Sequence, residues 1–250
     1  MKKLLFLPLM LVVLTGCDEH EPDPYTPPPA PSSGVRLIVK PMWDGAPFDK
    51  YTVYHNVSDY RVQVQLVKMY LSDIELLTTG DAQELSDIEL LRLTDGPDTV
   101  EFDVAPGDYS GIRFGIGVPD AINHGDPTQY AADHPLSTSN GMHWTWAEGY
   151  RFVVFDGRFD TDANGVGALP DLFSIHTGMD TCYRDVEFGS LPVQVPTGSR
   201  TDVVLEIDVS RFFYSVSDTV DLATDNQAHG TNIQLATRLS DCVVSAISAP

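Results

Sequence analysis

Basic residues are scarce in this chain of 250 residues. Lys and Arg number 15 against 36 Asp and Glu, which gives a formal net charge of −21. So acidic a chain cannot neutralise phosphates, and charge therefore argues against nucleic acid or anionic lipid as electrostatic partners. It favours cations or a basic protein as partners, although the same charge is also compatible with a role in solubility alone.

The familiar signatures of catalysis are missing as well. The sequence has no glycine-rich phosphate loop, no serine elbow and no His-Glu-x-x-His motif. Its many acids are scattered, so no pair of carboxylates stands out as a glycosidase pair. We therefore predict that the protein is not an enzyme.

Cysteine is also rare, and the first of the three cysteines lies in a leader. Two lysines and an apolar run over 4–14 form a secretory signal that is too short to span a membrane. The signal ends in "LTGC", which resembles a bacterial lipobox with Cys17 as the lipidated residue. We predict a signal peptide over 1–16, a Pro-rich linker over 17–34 and a folded domain over 35–250, anchored in a Gram-negative cell envelope.

The other two cysteines are Cys182 and Cys242. In an exported protein such a pair is most simply a disulfide, which would tie the C-terminal end to the body of the domain. The alternative is a pair of thiolate metal ligands, which suits an oxidising compartment less well.

Strand patterns recur along the domain. The stretch "RVQVQLVKMYL" alternates apolar and polar residues with the period of a half-buried strand. Similar stretches are "VRLIVKPMW", "TVEFDV", "YSGIRFGIGV", "YRFVVFDGRF", "LFSIHTG", "LPVQV", "TDVVLEIDVS" and "NIQLATRL". Turn residues separate them, which predicts an all-β, antiparallel β-sandwich of the Greek-key type.

One segment departs from this pattern. Residues 118–149 are polar, have no clear periodicity and contain three histidines. A loop of about 30 residues in a compact domain is uncommon and usually functional. It ends in "NGMHWTWAEGYRF", which collects a methionine, a histidine and two of the three tryptophans.

An ordered set of motifs carries a family likeness. "MYLSDIEL", "FGIGVP", "INHGDP", "HPLSTSNGMHWTWAEGYRF" and "FSIHTG" span about 69–178. This set resembles the MbnP-like family of exported copper-binding β-sandwich proteins, which are paired with a di-haem peroxidase-like partner. In that family the partner can oxidise a tryptophan to kynurenine, which then helps to bind copper.

The resemblance implies a copper site in this chain. Imidazole suits copper, and His124 and His176 are the predicted ligands, with His143 as second choice and His55 as third. The oxidisable ring would be Trp146, or else Trp144. Structural alternatives without a metal stay open. His124 could organise a turn, His176 could be a half-buried residue with its hydrogen bonds formed within the protein, and both indoles could belong to the core.

A second metal site is suggested by "DTDANGVGALPD". Its residues match positions of the calcium-loop pattern, with the last position Asp instead of Glu. The predicted ligands are Asp160, Asp162, Asn164, the Val166 carbonyl and Asp171. The alternative is an acidic hairpin loop whose turn is made by Asn-Gly.

Two functions follow from these observations. The first is a membrane-anchored copper-binding protein for acquisition, delivery or buffering of copper, served by a di-haem enzyme. The alternative is a calcium-stabilised cell-surface recognition module without copper. The first depends on the fold bringing the imidazoles of residues 124 and 176 together beside an indole.

Overall fold

A computed structural model describes residues 32–145 and 149–250 of the chain. Within these ranges the strands are β1 Gly34–Trp43, β2 Ala46–Pro47, β3 Tyr54–His55, β4 Arg61–Leu77, β5 Gln83–Arg92, β6 Asp98–Asp103, β7 Gly107–Tyr109, β8 Gly111–Ile116, β9 His143–Thr145, β10 Gly149–Asp160, β11 Asp171–Gly178, β12 Arg184–Phe188, β13 Val193–Val195, β14 Arg200–Asp208, β15 Gln227–Ala228 and β16 Ile247–Ser248.

Helices are short and few in the same ranges. The α-helices are α1 Asp120–Asn123 and α2 Ile233–Ala246, and the 3-10 helices are Leu93–Asp95, Pro127–Gln129, Thr138–Asn140, Asp180–Cys182 and Val209–Phe213. No helix of the described residues has the length and apolarity needed to cross a membrane. The long segment predicted to be irregular contains α1 and two of the 3-10 helices, with no strand between Ile116 and His143.

The strands form two large sheets, so the predicted all-β class is confirmed. The larger sheet has the order β12-β8-β4-β10-β11-β15, with β3 and β5 also paired to β4 and with β9 paired to β10. The other has the order β16-β14-β1-β2, with β6 paired to β1, and β13 pairs with β7.

Most pairs are antiparallel, as predicted, but two are not. β1 and β14 run parallel over nine register pairs, and β15 pairs in parallel with β11. The alternation of apolar residues fixes which face a strand buries and says nothing about the direction of its neighbour. The sequence prediction also omitted β5 and β12, which lie next to β4 and β8.

The centre of the core is a cluster of phenylalanines between the strands. Phe155 of β10 lies 5.0 Å from Phe173 of β11, measured between ring centroids, and 5.1 and 5.0 Å from Phe212 and Phe213. All four rings are at most 1% exposed. Aromatic pairs at such distances add to the burial of apolar area, so β10 and β11 form a rigid base for the side chains described below.

One predicted strand is a helix. "NIQLATRL" forms the first part of α2, whose buried residues Leu235, Leu239 and Val243 recur every fourth position. The Asn232 side chain accepts a hydrogen bond from Leu235 N at 3.2 Å and begins the helix as its N-cap. The prediction failed because the stretch considered ended too early to reveal the helical period. α2 contacts β11.

The predicted disulfide is not formed. Cys182 and Cys242 are both free and buried, although the elements that carry them contact each other. Burial is the main cause that raises the pKa of Cys242 to about 11, and the neighbouring Ser215 opposes this rise.

Candidate metal centre

Three polar side chains lie together on the surface shared by β10 and β11. Asp156 of β10 is paired in register with Ser174 of β11, and His176 follows two residues later on the same face of the strand. His176 is only 8% exposed. Its Nε2 lies 2.8 Å from Asp156 Oδ1 and 3.2 Å from Ser174 Oγ.

A second imidazole completes this group. The short strand β15 pairs in parallel with β11, and His229 follows it directly. The ring centroids of His229 and His176 are 4.8 Å apart, with a tilt of 37°. His229 Nε2 lies 2.7 Å from Ser174 Oγ, so one hydroxyl links both histidines. We refer to Asp156, Ser174, His176 and His229 as the histidine pair network.

The hydrogen bonds assign the protons in this network. The Ser174 hydroxyl donates to Asp156 Oδ1 at 2.6 Å, so the His229 Nε2 must donate in its contact with the same Oγ. An ionised carboxylate only accepts hydrogen bonds, so His176 also donates from Nε2. The neutral form of each ring therefore has its lone pair on Nδ1.

The His176 Nδ1 atom is the strongest indication of a ligand-binding site. It is buried, and within the described residues it has no hydrogen-bond partner. Buried polar atoms without a partner are rare because they lose the water that would otherwise solvate them. An imidazole nitrogen whose opposite N–H is held by a carboxylate is the usual arrangement of a metal-bound histidine.

Electrostatics keep this network ready to bind a cation. Burial alone would raise the pKa of Asp156, but the bonds from His176 and Ser174 outweigh it and hold the pKa below its ordinary value. Burial, followed by the neighbouring His176, lowers the pKa of His229. The His229 ring therefore stays neutral in more acidic solution than a histidine with the ordinary pKa does.

His176 also contributes to the wall of a small cavity of about 10 Å³. This is about the smallest volume that holds one water molecule. The other residues that line this cavity are Trp144, Gly178, Met179, Gly230, Asn232, Ile233 and Ala236.

Trp144 is the indole beside this cavity. It is half-buried in β9, with its ring centroid 5.9 Å from that of His176 and 5.4 Å from the Arg151 guanidinium carbon. Gly178 permits this approach, because a Cβ there would lie 3.2 Å from the Trp144 ring and 2.8 Å from the Tyr150 carbonyl oxygen. Trp146, the favoured oxidisable ring, lies outside the described residues.

His143, the second-choice ligand, has other surroundings. Its ring lies 5.0 Å from that of Tyr150 in an edge-on arrangement, and burial lowers its pKa. The preceding Met142 is part of the core, with 1% exposure. This stretch thus divides between core packing and the cavity at Trp144.

His124 forms a separate cluster with two carboxylates. Its Nε2 lies 3.0 Å from Asp180 Oδ2 and 3.5 Å from Asp120 Oδ1, and all three residues are exposed. The hydrogen bond with Asp180 is the main cause that raises the pKa of His124. Asn123 holds this cluster in place, because its amide nitrogen donates to Asp180 at 3.0 Å while its oxygen accepts from Tyr150 N.

The ring that lies beside His176 is therefore that of His229, whereas the sequence named His124. In the described part of the chain, the contacts of His124 are with Asp120 and Asp180 and include none with His176. The sequence analysis assigned no role to His229, Asp156 or Ser174. For Ser174 and Asp156 the sequence did contain an indication of their orientation, since each is a polar residue that alternates with apolar residues along a strand.

In the predicted calcium loop, two of the aspartates have partners within the protein. Asp160 Oδ2 accepts from Arg61 at 2.9 Å, and Asp162 Oδ1 accepts from Asn164 N at 2.9 Å. Val166 is 91% exposed. Among the described residues, the group of three metal-binding side chains that converges within 4.8 Å is that of His124, and it contains no residue of this loop. Asp160 thus forms an ion pair with a nearly buried arginine, and the calcium site stays a prediction.

The fold and site define an all-β protein in which a buried imidazole, that of His176, lies beside the exposed His229 and a tryptophan. The sequence model of the MbnP family matches residues 32–234, and the chain belongs to this family. The resemblance inferred from the motifs is thus confirmed.

One solved structure is similar in fold, that of MbnP from Methylosinus trichosporium. It has a TM-score of 0.51 and 14% sequence identity, and the match covers 75% of this chain and 79% of that chain. At this identity the likeness concerns the fold alone. No curated protein sequence matches the chain.

Proposed function

We propose that this protein binds copper at the histidine pair network, through Nδ1 of His176 and the imidazole of His229. The observation that carries the proposal is the buried Nδ1 of His176, which has no partner among the described residues. Because Nε2 of this ring is bonded to Asp156, the ring is oriented to bind a metal through Nδ1.

The chemistry of the donors suits copper. Imidazole binds copper, zinc, iron and nickel, whereas calcium and magnesium require oxygen ligands. The cavity beside His176 is lined by an indole and a thioether, which are soft groups. Family membership supports a function related to that of MbnP.

The remaining parts of the proposal rest on the sequence and the family resemblance. A lipid on Cys17 would anchor the protein in the envelope of a Gram-negative bacterium, and the Pro-rich linker would hold the domain away from the membrane. A di-haem peroxidase-like partner would oxidise Trp146 or Trp144. The negative charge of the chain favours a basic surface on that partner.

A calcium-stabilised recognition module is the alternative function that the sequence suggested. Its loop places Asp160 in an ion pair with Arg61, and no residue of the loop belongs to the three-residue cluster at His124. No observation of the described residues favours it over copper.

Copper titration tests the proposal. The purified protein is titrated with Cu(I) in competition with a chromophoric chelator, and the variant His176→Ala is compared with His55→Ala. His55 is an exposed histidine bonded to Asp59 at 2.8 Å, so this control removes an imidazole that is not part of the histidine pair network. We expect one copper per chain in the wild type and in His55→Ala, and loss of that site in His176→Ala. Equal binding by all three proteins would refute the proposal.

A further inference from the structure

Met179 has an unusual backbone conformation. Its φ is 68° and its ψ is 152°, a combination that glycine adopts almost exclusively. The other non-glycine residues with positive φ in the described ranges are all aspartates: Asp44, Asp59 and Asp73. Aspartate tolerates positive φ because its short polar side chain forms local hydrogen bonds, and methionine has no such compensation.

Neighbouring contacts on both sides hold this conformation. β11 ends at Gly178, directly before Met179, and the Met179 carbonyl accepts a hydrogen bond from Cys182 N at 2.9 Å. The next residue, Asp180, is bonded to Asn123 and His124. The chain is therefore fixed before and after Met179, and the strained residue sits where the two histidine clusters adjoin.

The conformation places Met179 at the cavity of His176. Met179 lines this cavity together with His176 and Trp144, and the buried Nδ1 of His176 has no partner within the described residues. Strain in a folded protein persists where the surroundings impose it, and such residues cluster at functional sites. Simple space filling does not account for it, because a flexible methionine fills gaps from a relaxed backbone equally well.

Thioether sulfur is a soft, uncharged donor. Soft donors select Cu(I), whereas Zn²⁺ and Cu(II) accept imidazole without sulfur. We propose that the Met179 sulfur is a further ligand of the ion bound by His176 and that it sets the preference of the site for Cu(I). This inference rests on the proposed copper function.

The first test removes the sulfur and keeps the volume. Met179→Leu is compared with Met42→Leu, which changes another half-buried methionine in β1. We expect Met179→Leu to weaken Cu(I) binding by about 10- to 100-fold, the range seen when a metal site loses a supporting partner. Zn²⁺ binding should be unchanged, and Met42→Leu should resemble the wild type for both ions.

The second test relieves the backbone strain at residue 179. Met179→Gly removes the sulfur and also permits the observed φ and ψ at no steric cost. We expect its unfolding temperature to equal or exceed that of Met179→Leu while its Cu(I) affinity falls to the same extent. Sulfur scattering in the X-ray absorption spectrum of the Cu(I) protein should be present in the wild type and absent from both variants.

The outcomes separate the two proposals. If Met179→Leu and Met179→Gly retain wild-type Cu(I) affinity and sulfur scattering persists, Met179 is not a ligand, whereas the result with His176→Ala still stands. If His176→Ala retains its copper, the site itself is wrong and the Met179 proposal fails with it.

Discussion

The two histidines that the sequence predicted as copper ligands, His176 and His124, have opposite surroundings. His176 is buried, its Nε2 is held by Asp156, and its Nδ1 has no partner among the described residues. His124 is exposed, and its Nε2 contacts two carboxylates. The sequence treated both as equivalent ligands, and the structure distinguishes them by burial and by the number of unsatisfied atoms. A buried lone pair is the stronger indication of a ligand, because an exposed one is solvated by water.

The largest expected effect on copper affinity comes from removing the imidazole beside His176, and the matching change at His124 tests whether the exposed cluster also binds copper. His229→Ala should weaken Cu(I) binding by roughly 100-fold, because it removes the imidazole next to His176, and such losses reach the upper end of the range for metal sites. The Cu(I) dissociation constant of His124→Ala should stay within about threefold of the wild-type value, which corresponds to about 0.7 kcal/mol of binding free energy. Chelator competition measures both. A loss confined to His124→Ala would restore the pairing that the sequence predicted.

A smaller effect is expected when the support of the ring changes. Asp156→Asn keeps the shape but supplies a neutral amide to His176 Nε2, and it should weaken copper binding by about 10-fold. Asp120→Asn, which makes the same change next to His124, serves as the control and should leave copper binding unaltered. Equal copper affinities for Asp156→Asn and the wild type would show that the carboxylate does not orient the ring.

The wall of the cavity can be changed without touching a donor. In Gly178→Ala, the added Cβ would meet the Tyr150 carbonyl at 2.8 Å and the Trp144 ring at 3.2 Å, so we expect a loss of about 1–3 kcal/mol in the free energy of unfolding. Tryptophan fluorescence should report the displaced indole. Gly80→Ala is the matched control, since a Cβ at residue 80 meets nothing within 4 Å. If both variants unfold at the same denaturant concentration, the close approach of Trp144 is not as described.

The smallest effect concerns the titration of the exposed cluster. In the metal-free protein, NMR should show the pKa of His124 above its ordinary value of about 6.5, chiefly because of its bond with Asp180. This contact stabilises the fold fully below the unfolded pKa, and the contribution disappears as the pH rises through the higher folded pKa. Asp180→Asn should lower the pKa of His124, and an unchanged pKa would contradict the assignment of its partner.

Local pattern was a good guide to elements whose neighbours also alternate. β1, β10 and β14 were anticipated from apolar periodicity within two residues of their bounds, whereas the stretch predicted for β4 began correctly and ended at Leu71, six residues before Leu77. α2 was mistaken for a strand, because eight residues hold too little of a helical period. β5 was overlooked because "QELSDIELLR" is acidic and largely exposed at its start, so its pairing with β4 is decided by contact and not by propensity.

By itself, the sequence determined the class of the fold, the family and the position of His176 near the end of a strand, because periodicity and ordered motifs are properties of the local chain. Only the tertiary structure decided which imidazole accompanies His176. The partner, His229, follows a two-residue strand that pairs in parallel with β11, and a pairing so short and so distant along the chain leaves no periodic trace. It likewise decided that the nitrogen opposite Asp156 is buried without a partner, since burial and hydrogen bonding depend on every element that surrounds an atom.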